Sequence, residues 1–389
     1  MSSKSRWLIV LVSTPLVILA AVGGLLGATQ PAPQQSFKDL PVFQDVLSLI
    51  MSSYVEKVDV DKVMEGAMRG LADGLDPVSA YLMPEEVKAI QANTALPKGD
   101  VGIIVSRQFY LRILGVRDGS PAARAGLRSG DFIRGIDGKP TREISAFTGM
   151  RLLRGAPGSK VQLTVIRGNA AEPHVLDLVR EALTPDAVTS KKLPGGEGYV
   201  RVASFASGTS AGLKKEFDTL RQGGATSAVI DLRGIAGGTP DDGLAAAKLF
   251  VASGTLATLS DRAGKKTVIT AAAGDGAITM PVVLLVSNGT ANAAELFAAA
   301  LSGNKRADLV GEPTAGLAAA QRLVPLPESR GLWMTYARYL APDGKVIHEH
   351  GLTPTVAVEE PTVLFGDAPP ATDVPLEKAI DRLRLKKTA

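Results

Sequence analysis

The sequence predicts a multidomain α/β protein, with a small β-rich module placed before an α/β core and a helical region and membrane-spanning segment ahead of both. Three observations carry this reading. Residues 7 to 28 contain no charge. Residues 98 to 168 hold short apolar runs punctuated by Gly, Asp and Pro, the pattern of a small β-rich unit. Residues 186 to 360 alternate apolar strands with amphipathic helices, which favours a mostly parallel sheet covered on both faces.

Length and composition set the frame. The 389 residues contain 45% hydrophobic and 21% charged side chains, ordinary globular values that exclude a disordered or collagen-like chain. At roughly 150 residues per domain the chain holds two or three domains, each able to bury a core. With 43 basic and 39 acidic residues the net charge is +4, too slight to indicate nucleic acid. There is no cysteine, so disulfides, thiol catalysis and Cys-based zinc sites are excluded. His348 and His350 flank Glu349, but no further ligand is evident and no metal or cofactor is implied.

The uncharged stretch follows Lys4 and Arg6 and precedes a Pro/Gln-rich segment from Gln30 to Gln35. It is long enough for a hydrocarbon core of roughly 30 Å, and the positive flank orients the rest of the chain outward. Residues 1–28 therefore read as a signal anchor or a signal peptide, and the expected location is a bacterial inner membrane with the bulk of the chain in the periplasm or extracytoplasmic space.

A linker covers 29–36, and 37–96 is a helical region. There Phe43, Val46, Leu47 and Ile50 repeat at helical spacing, and Pro84-Glu85-Glu86 opens a helix after the Gly74-Leu75-Asp76-Pro77 break. The β-rich module covers 97–182. Ser120-Pro121 caps a short helix that Gly126 stops, and Asp137-Gly138 makes a hairpin turn. The core covers 183–360: strands at 199–202, 228–232 and 282–286, and helices at 209–222, 241–250 and 293–301. The segment 361–389 is a tail ending in a short basic helix at 376–385.

The module resembles a PDZ domain: Val101-Gly102-Ile103-Ile104 stands at its carboxylate-binding loop, ahead of Ser-Pro-Ala-Ala, Gly-Asp and Ile-Asp-Gly in the usual order. From about Phe37 to Glu360 the chain resembles the carboxyl-terminal processing (tail-specific) proteases, the Ser–Lys peptidases of family S41. The segments that carry this are 54–87, LLRGAPGSK at 152–160, VIDLRGIAGG at 229–238, LVGEPTAG at 309–316, ARYLAP at 337–342 and GLTPTVAV at 351–358. The resemblance implies a catalytic Ser three residues before a Glu, at a strand-to-helix turn, and a Lys base about 25 residues later. Here Asn292 precedes Glu295 by three, and Leu317 stands 25 residues beyond Asn292. Gln321 matches a Gln that supports the dyad. Gly237, Gly238 and Ala293 fall where backbone N–H groups meet the oxyanion.

An amide is no acyl nucleophile and an isobutyl group accepts no proton, so the sequence reads as a pseudo-protease that binds protein C-terminal tails, or pairs with an active protease relative, as a membrane-tethered regulatory or scaffolding subunit. In that reading Val101, Gly102, Ile103 and Ile104 take the tail as an added strand, with Arg107 or Arg112 assisting by charge. Two alternatives stand beside it: an active endopeptidase with a relocated dyad drawn from Ser287, Thr290, Ser302 and Lys305, and a structural assembly protein. Homo-oligomerisation is compatible with all three.

Overall fold

The computed structural model describes residues 39–168, 172–183, 188–361, 363–368 and 370–388. The chain divides into two units, Met1–Ala67 and Met68–Ala389. Within the first, α1 (Leu40–Ser53) carries Pro41 in its first turn and ends where Tyr54 turns extended. A second helix, α2 (Val60–Asp73), opens with Asp61, and its last turns belong to the second unit.

The α/β core with its inserted β-rich module stands as expected. The membrane-spanning segment does not. No helix among the described residues is long and apolar enough to cross a bilayer. The stretch on which that expectation rested, residues 1–28, lies outside the described residues. Membrane anchoring, a membrane partner and the inner-membrane location are therefore withdrawn.

The module is an antiparallel sheet. Its strands β3 (Ile103–Gln108), β4 (Tyr110–Val116), β5 (Phe132–Ile136), β7 (Lys160–Ile166) and β8 (His174–Val179) follow one another in that order, and β6 (Lys139–Pro140) pairs with β5. A two-stranded ribbon of β2 (Gly99–Asp100) and β9 (Glu181–Ala182) closes the module's base. Alternate residues build its core, Leu111 and Ile113 from β4, and Val161, Leu163 and Val165 from β7. Two helices complete it. In α4 (Pro121–Arg124) the Ser120 side chain accepts the Ala123 amide, and in α5 (Ala146–Leu152) Ser145 accepts from Thr148. Because β4 is the one strand paired with β3, the other edge of β3 is open except at Arg107, whose amide donates to the Pro77 carbonyl at 3.1 Å.

The core sheet runs β10 (Val188–Lys192), β11 (Gly198–Val202), β12 (Ala228–Asp231), β15 (Val282–Val286), β16 (Ala307–Gly311) and β19 (Val356–Ala357); all neighbours are parallel except β10 and β11. Residues of β12 and β15 alternate between two apolar layers, as a sheet buried on both faces requires. Ala228, Ile230, Val282 and Leu284 meet α6 (Thr209–Gln222), α7 (Pro240–Ala247) and α8 (Ala293–Gly303). On the other face Val229, Val283 and Leu285 meet Ala379 and Leu383 of the C-terminal helix α9 (Val374–Thr388). Arg382 to Asp308 at 2.8 Å and Arg384 to Glu197 at 2.9 Å hold α9 at its flanks. Leu383→Asp puts a charge into that layer, so we expect a loss of about 4 kcal/mol and early proteolytic release of α9, read by urea unfolding and limited proteolysis.

One element escaped the sequence reading. A five-stranded antiparallel sheet joins β1 (Ala80–Leu82), β18 (Gly331–Leu340), β13 (Thr255–Asp261) and β14 (Lys266–Thr270), with β17 (Ala319–Pro325) also on β18. Its pairing of residues about 250 positions apart, Tyr81 with Leu332, leaves no local trace. The remaining helix, α3 (Pro84–Gln91), packs Val87 beside it with Ala80 and Leu82.

Candidate active site

The site is built where β15 ends. Ser287 to Ala291 leave the strand as a turn, and Asn292 starts α8 with φ 50° and ψ −112°. A non-glycine residue in such a conformation costs about 1–3 kcal/mol and is kept only where its surroundings hold it. Here the holding group is Glu295, fully buried. Its carboxylate accepts the Asn292 amide at 3.0 Å, the Leu317 amide at 2.8 Å, the Gly316 amide at 2.6 Å and the Thr314 hydroxyl at 2.5 Å. Burial pushes this carboxyl above its usual range, with the four donors pulling the other way. One acidic side chain thus fixes the turn at 292 and the loop at 314–317 together.

Facing them is the loop after β12. Gly238 has φ 108°, and a Cβ there would lie 1.8 Å from the Phe205 carbonyl oxygen, so only glycine fits. The Asn292 Nδ2 donates to the Gly238 carbonyl at 3.3 Å, while its buried Oδ1 has no hydrogen-bond partner. Among the described residues, neither the Gly238 nor the Ala293 amide has a backbone acceptor. The loop's base is a charge network. Asp231 accepts from Arg233 at 2.6 Å and from Tyr199 at 2.8 Å, and Arg201 donates to the Arg233 carbonyl at 2.8 Å. Burial alone would raise the Asp231 pKa, but the Arg233 and Arg201 guanidiniums hold it below the usual carboxylate range. Arg201 also reaches Asp118 of the module at 2.8 Å.

The β-rich module sits directly on this cleft. Its Leu114 and Ile104 pack with Ala236, Ala291, Ala315 and Leu317 in one apolar cluster. The backbones touch: a Cβ on Gly115 would meet the Gly234 oxygen at 2.3 Å, and one on Gly289 the Leu114 oxygen at 2.2 Å. Residue 317 is therefore a packing residue between module and core.

The four residues assigned to peptide binding divide by role. Val101 and Ile103 are buried in the module's own core, and the Gly102 amide is already taken by Asp100 at 2.9 Å. Ile104 points its Cδ1 at Gly237. Arg107 is structural, bonded to the Ile144 and Arg142 carbonyls and paired with Asp73 at 2.7 Å. Arg112 is half-buried, and burial lowers its pKa, with the Glu312 charge opposing. The Gln321 amide oxygen accepts the Trp333 indole at 3.1 Å.

The hydroxyls weighed from sequence are not poised for attack. Thr290 donates to the Leu232 carbonyl at 2.8 Å and accepts the Ser287 amide at 3.0 Å. Ser287 accepts from Gly234 at 3.2 Å and Gly289 at 3.3 Å, and Ser302 donates to the Ala299 carbonyl. Lys305 follows the far end of α8, an 11-residue helix about 16 Å long, so the structure does not bring it to Thr290. Sequence reasoning missed Ser204. Its Oγ would lie 3.2 Å from a Cβ on Gly237, and among the described residues that hydroxyl has no hydrogen-bond partner, while the Ser204 carbonyl accepts from Thr209.

Away from the cleft, His348 meets Asp76 at 3.7 Å, and no cluster of metal-ligating side chains occurs among the described residues. Asp76 also accepts the Val78 and Ser79 amides and the Ser79 hydroxyl. Burial opposes ionisation, but the His348 ring and these donors hold its carboxyl well below the usual range. A depressed carboxyl contributes stability that is intact above about pH 4 and is lost as pH falls below it. Asp76→Ala should cost about 2–3 kcal/mol at pH 7, with the gap from wild type closing below pH 4, measured by urea unfolding across pH.

Fold and site together define an α/β peptidase-type core with a PDZ module seated over its cleft. Residues 196–358 match the peptidase family S41 model, 112–167 a PDZ domain, and 24–86 the N-terminal domain of the activating protease CtpB. The carboxy-terminal-processing protease of Bartonella bacilliformis is 30% identical over 358 residues, covering 90% of this chain and 81% of that protein. Carboxy-terminal processing protease CtpA of Bacillus subtilis is 31% identical over 80% of this chain and 67% of its own. Among solved structures, the photosystem II D1 C-terminal processing protease superposes with a TM-score of 0.67 at 29% identity, covering 85% of this chain and 96% of that one. The chain belongs to the carboxyl-terminal-processing proteases of peptidase family S41. These relatives are named as proteases, which overturns the expectation of a non-hydrolytic regulatory or scaffolding subunit, and with it the description of the chain as no enzyme.

Proposed function

We propose that the chain is a carboxyl-terminal-processing endopeptidase: the PDZ module grips a protein tail along the open edge of β3, and the bond is cut in the cleft between Gly237-Gly238 and the turn at residue 292. The observation that carries the reading is the match to a processing protease across nine-tenths of the chain, with PDZ module and core both included. The unengaged Gly238 and Ala293 amides beside the strained turn support it, since a pair of N–H donors is what a developing oxyanion needs.

In this proposal Asn292 and Leu317 occupy the family's nucleophile and base positions, and Gln321 the supporting one. Neither an amide nor an isobutyl group can do that chemistry, so attack is assigned to a relocated hydroxyl: its oxygen bonds to the peptide carbonyl carbon, its proton passes to the departing amine as the C–N bond breaks, and water then hydrolyses the ester. Ser287, Thr290 and Ser302 are tied into the fold; Ser204, beside Gly237, is not. Purified protein incubated with a peptide tail, followed by mass spectrometry, tests this. Turnover by wild type that falls about a hundredfold or more in Ser204→Ala is expected. Absence of turnover in wild type, or turnover indifferent to Ser204, overturns the reading.

A further inference from the structure

The outer part of the PDZ module holds a solvent-open pocket of about 440 Å³, within the size range of small-molecule sites. Three cations line it, Arg134, Lys139 and Arg142, together with the Tyr110 and Thr164 side chains, and no carboxylate does. Three nearby acids are engaged elsewhere, while Glu172, next to the lining Pro173, is exposed to solvent. Asp131 is held by Arg167 at 2.7 Å, and Asp137 and Asp177 accept from Gln162 at 2.9 Å and 3.0 Å. Glu143 approaches Arg142 only at 4.0 Å, with both side chains more than half exposed, so screening leaves little of that pair.

The frame under these cations is fixed. Arg134 and Lys139 stand on the β5–β6 hairpin, and Arg142 on the 3-10 turn that follows it. That turn is anchored by the buried Thr141 hydroxyl, which donates to the Ile133 carbonyl. It is anchored again by Arg107, which donates to the Arg142 and Ile144 carbonyls at 2.7 Å each. A concave site with three like charges on a rigid base focuses positive potential, and two hydroxyls add neutral donors.

We propose that this pocket binds a small anion carrying phosphate groups of at least two negative charges, whether a soluble phosphoester or the headgroup of an anionic lipid. Guanidinium groups match phosphate oxygens in pairs, and an ammonium adds a point charge. This assignment is independent of whether the cleft cuts peptides.

The test uses the full chain in two arms: calorimetric titration with pyrophosphate, and flotation with phosphatidylcholine vesicles with and without phosphatidic acid. Saturable binding of pyrophosphate at one site is expected, weakened about tenfold or more in Arg134→Gln/Lys139→Gln with the thermal midpoint unchanged. Flotation that depends on phosphatidic acid and is lost in the same variant assigns the anion to a lipid headgroup; pyrophosphate binding alone assigns it to a soluble compound. If the double variant melts early, Arg142→Gln takes its place against the same threshold. Absence of saturable binding in both arms, binding that the substitutions leave unchanged, or a polyglutamate peptide that binds more tightly than pyrophosphate would each overturn the proposal.

Discussion

Placing a hydroxyl and an amine at the proposed nucleophile and base positions, Asn292→Ser with Leu317→Lys, is expected to raise tail hydrolysis about a hundredfold or more over wild type, while either substitution alone changes it by less than about tenfold. The asymmetry follows from the chemistry: a hydroxyl and its base act as a unit, so either one placed alone adds little. The scaffold suits both groups. Position 292 already has the turn conformation and lies beside the unengaged Gly238 and Ala293 amides. Position 317 lies among Ala236, Ala291, Leu114 and Ile104, where the loss of water disfavours an ammonium and favours the neutral amine that accepts a proton. Product analysis by mass spectrometry with a PDZ-bound tail peptide measures the gain. A double variant that folds yet cleaves no faster than wild type would show that positions 292 and 317 do not meet as a dyad.

Glu295→Gln is expected to be the most damaging single substitution of the same volume, at about 3–5 kcal/mol. Four donors point at the Glu295 carboxylate, and three of them are backbone N–H groups that cannot accept in return. An amide keeps one oxygen and turns an NH2 toward two of those donors, which leaves buried N–H groups unsatisfied and in conflict. The loop at 314–317 then detaches from the turn at 292. Hydrogen exchange should show Gly316 and Leu317 losing protection while β12 and β15 keep theirs, and urea unfolding should shift to lower concentration. Unchanged exchange at Gly316 would mean that the loop is held by its other bonds, the Ala315 amide to Thr290 and the Glu349 amide to Gly316.

Much of the architecture is legible along the chain because it rests on local patterns. The helix expected over 209–222 runs Thr209–Gln222, and the apolar run 282–286 is strand β15. The Ser120 cap and the Asp137-Gly138 turn fall where their residue types direct them. The five-stranded antiparallel sheet was not legible, since β1 and β18 share no neighbourhood in sequence and β18 reads as an ordinary amphipathic stretch. At the site, the spacing of Asn292 three residues before Glu295 and of Leu317 25 residues after Asn292 could be counted directly. Their consequences could not: Leu317 as a contact with the PDZ module, Glu295 as the clasp of two loops, and Ser204 beside Gly237 each depend on residues from distant segments.

Taken alone, the sequence determined which side chains occupy each position of the cleft and which chemistry those atoms lack, because composition and order are covalent facts. Tertiary structure decided which hydroxyls are already spent on the backbone, which carboxylate is surrounded by donors, and that the PDZ strands rest on residue 317. Those properties arise when a buried polar group must find its partners among whatever the fold brings near, and no single segment carries that information.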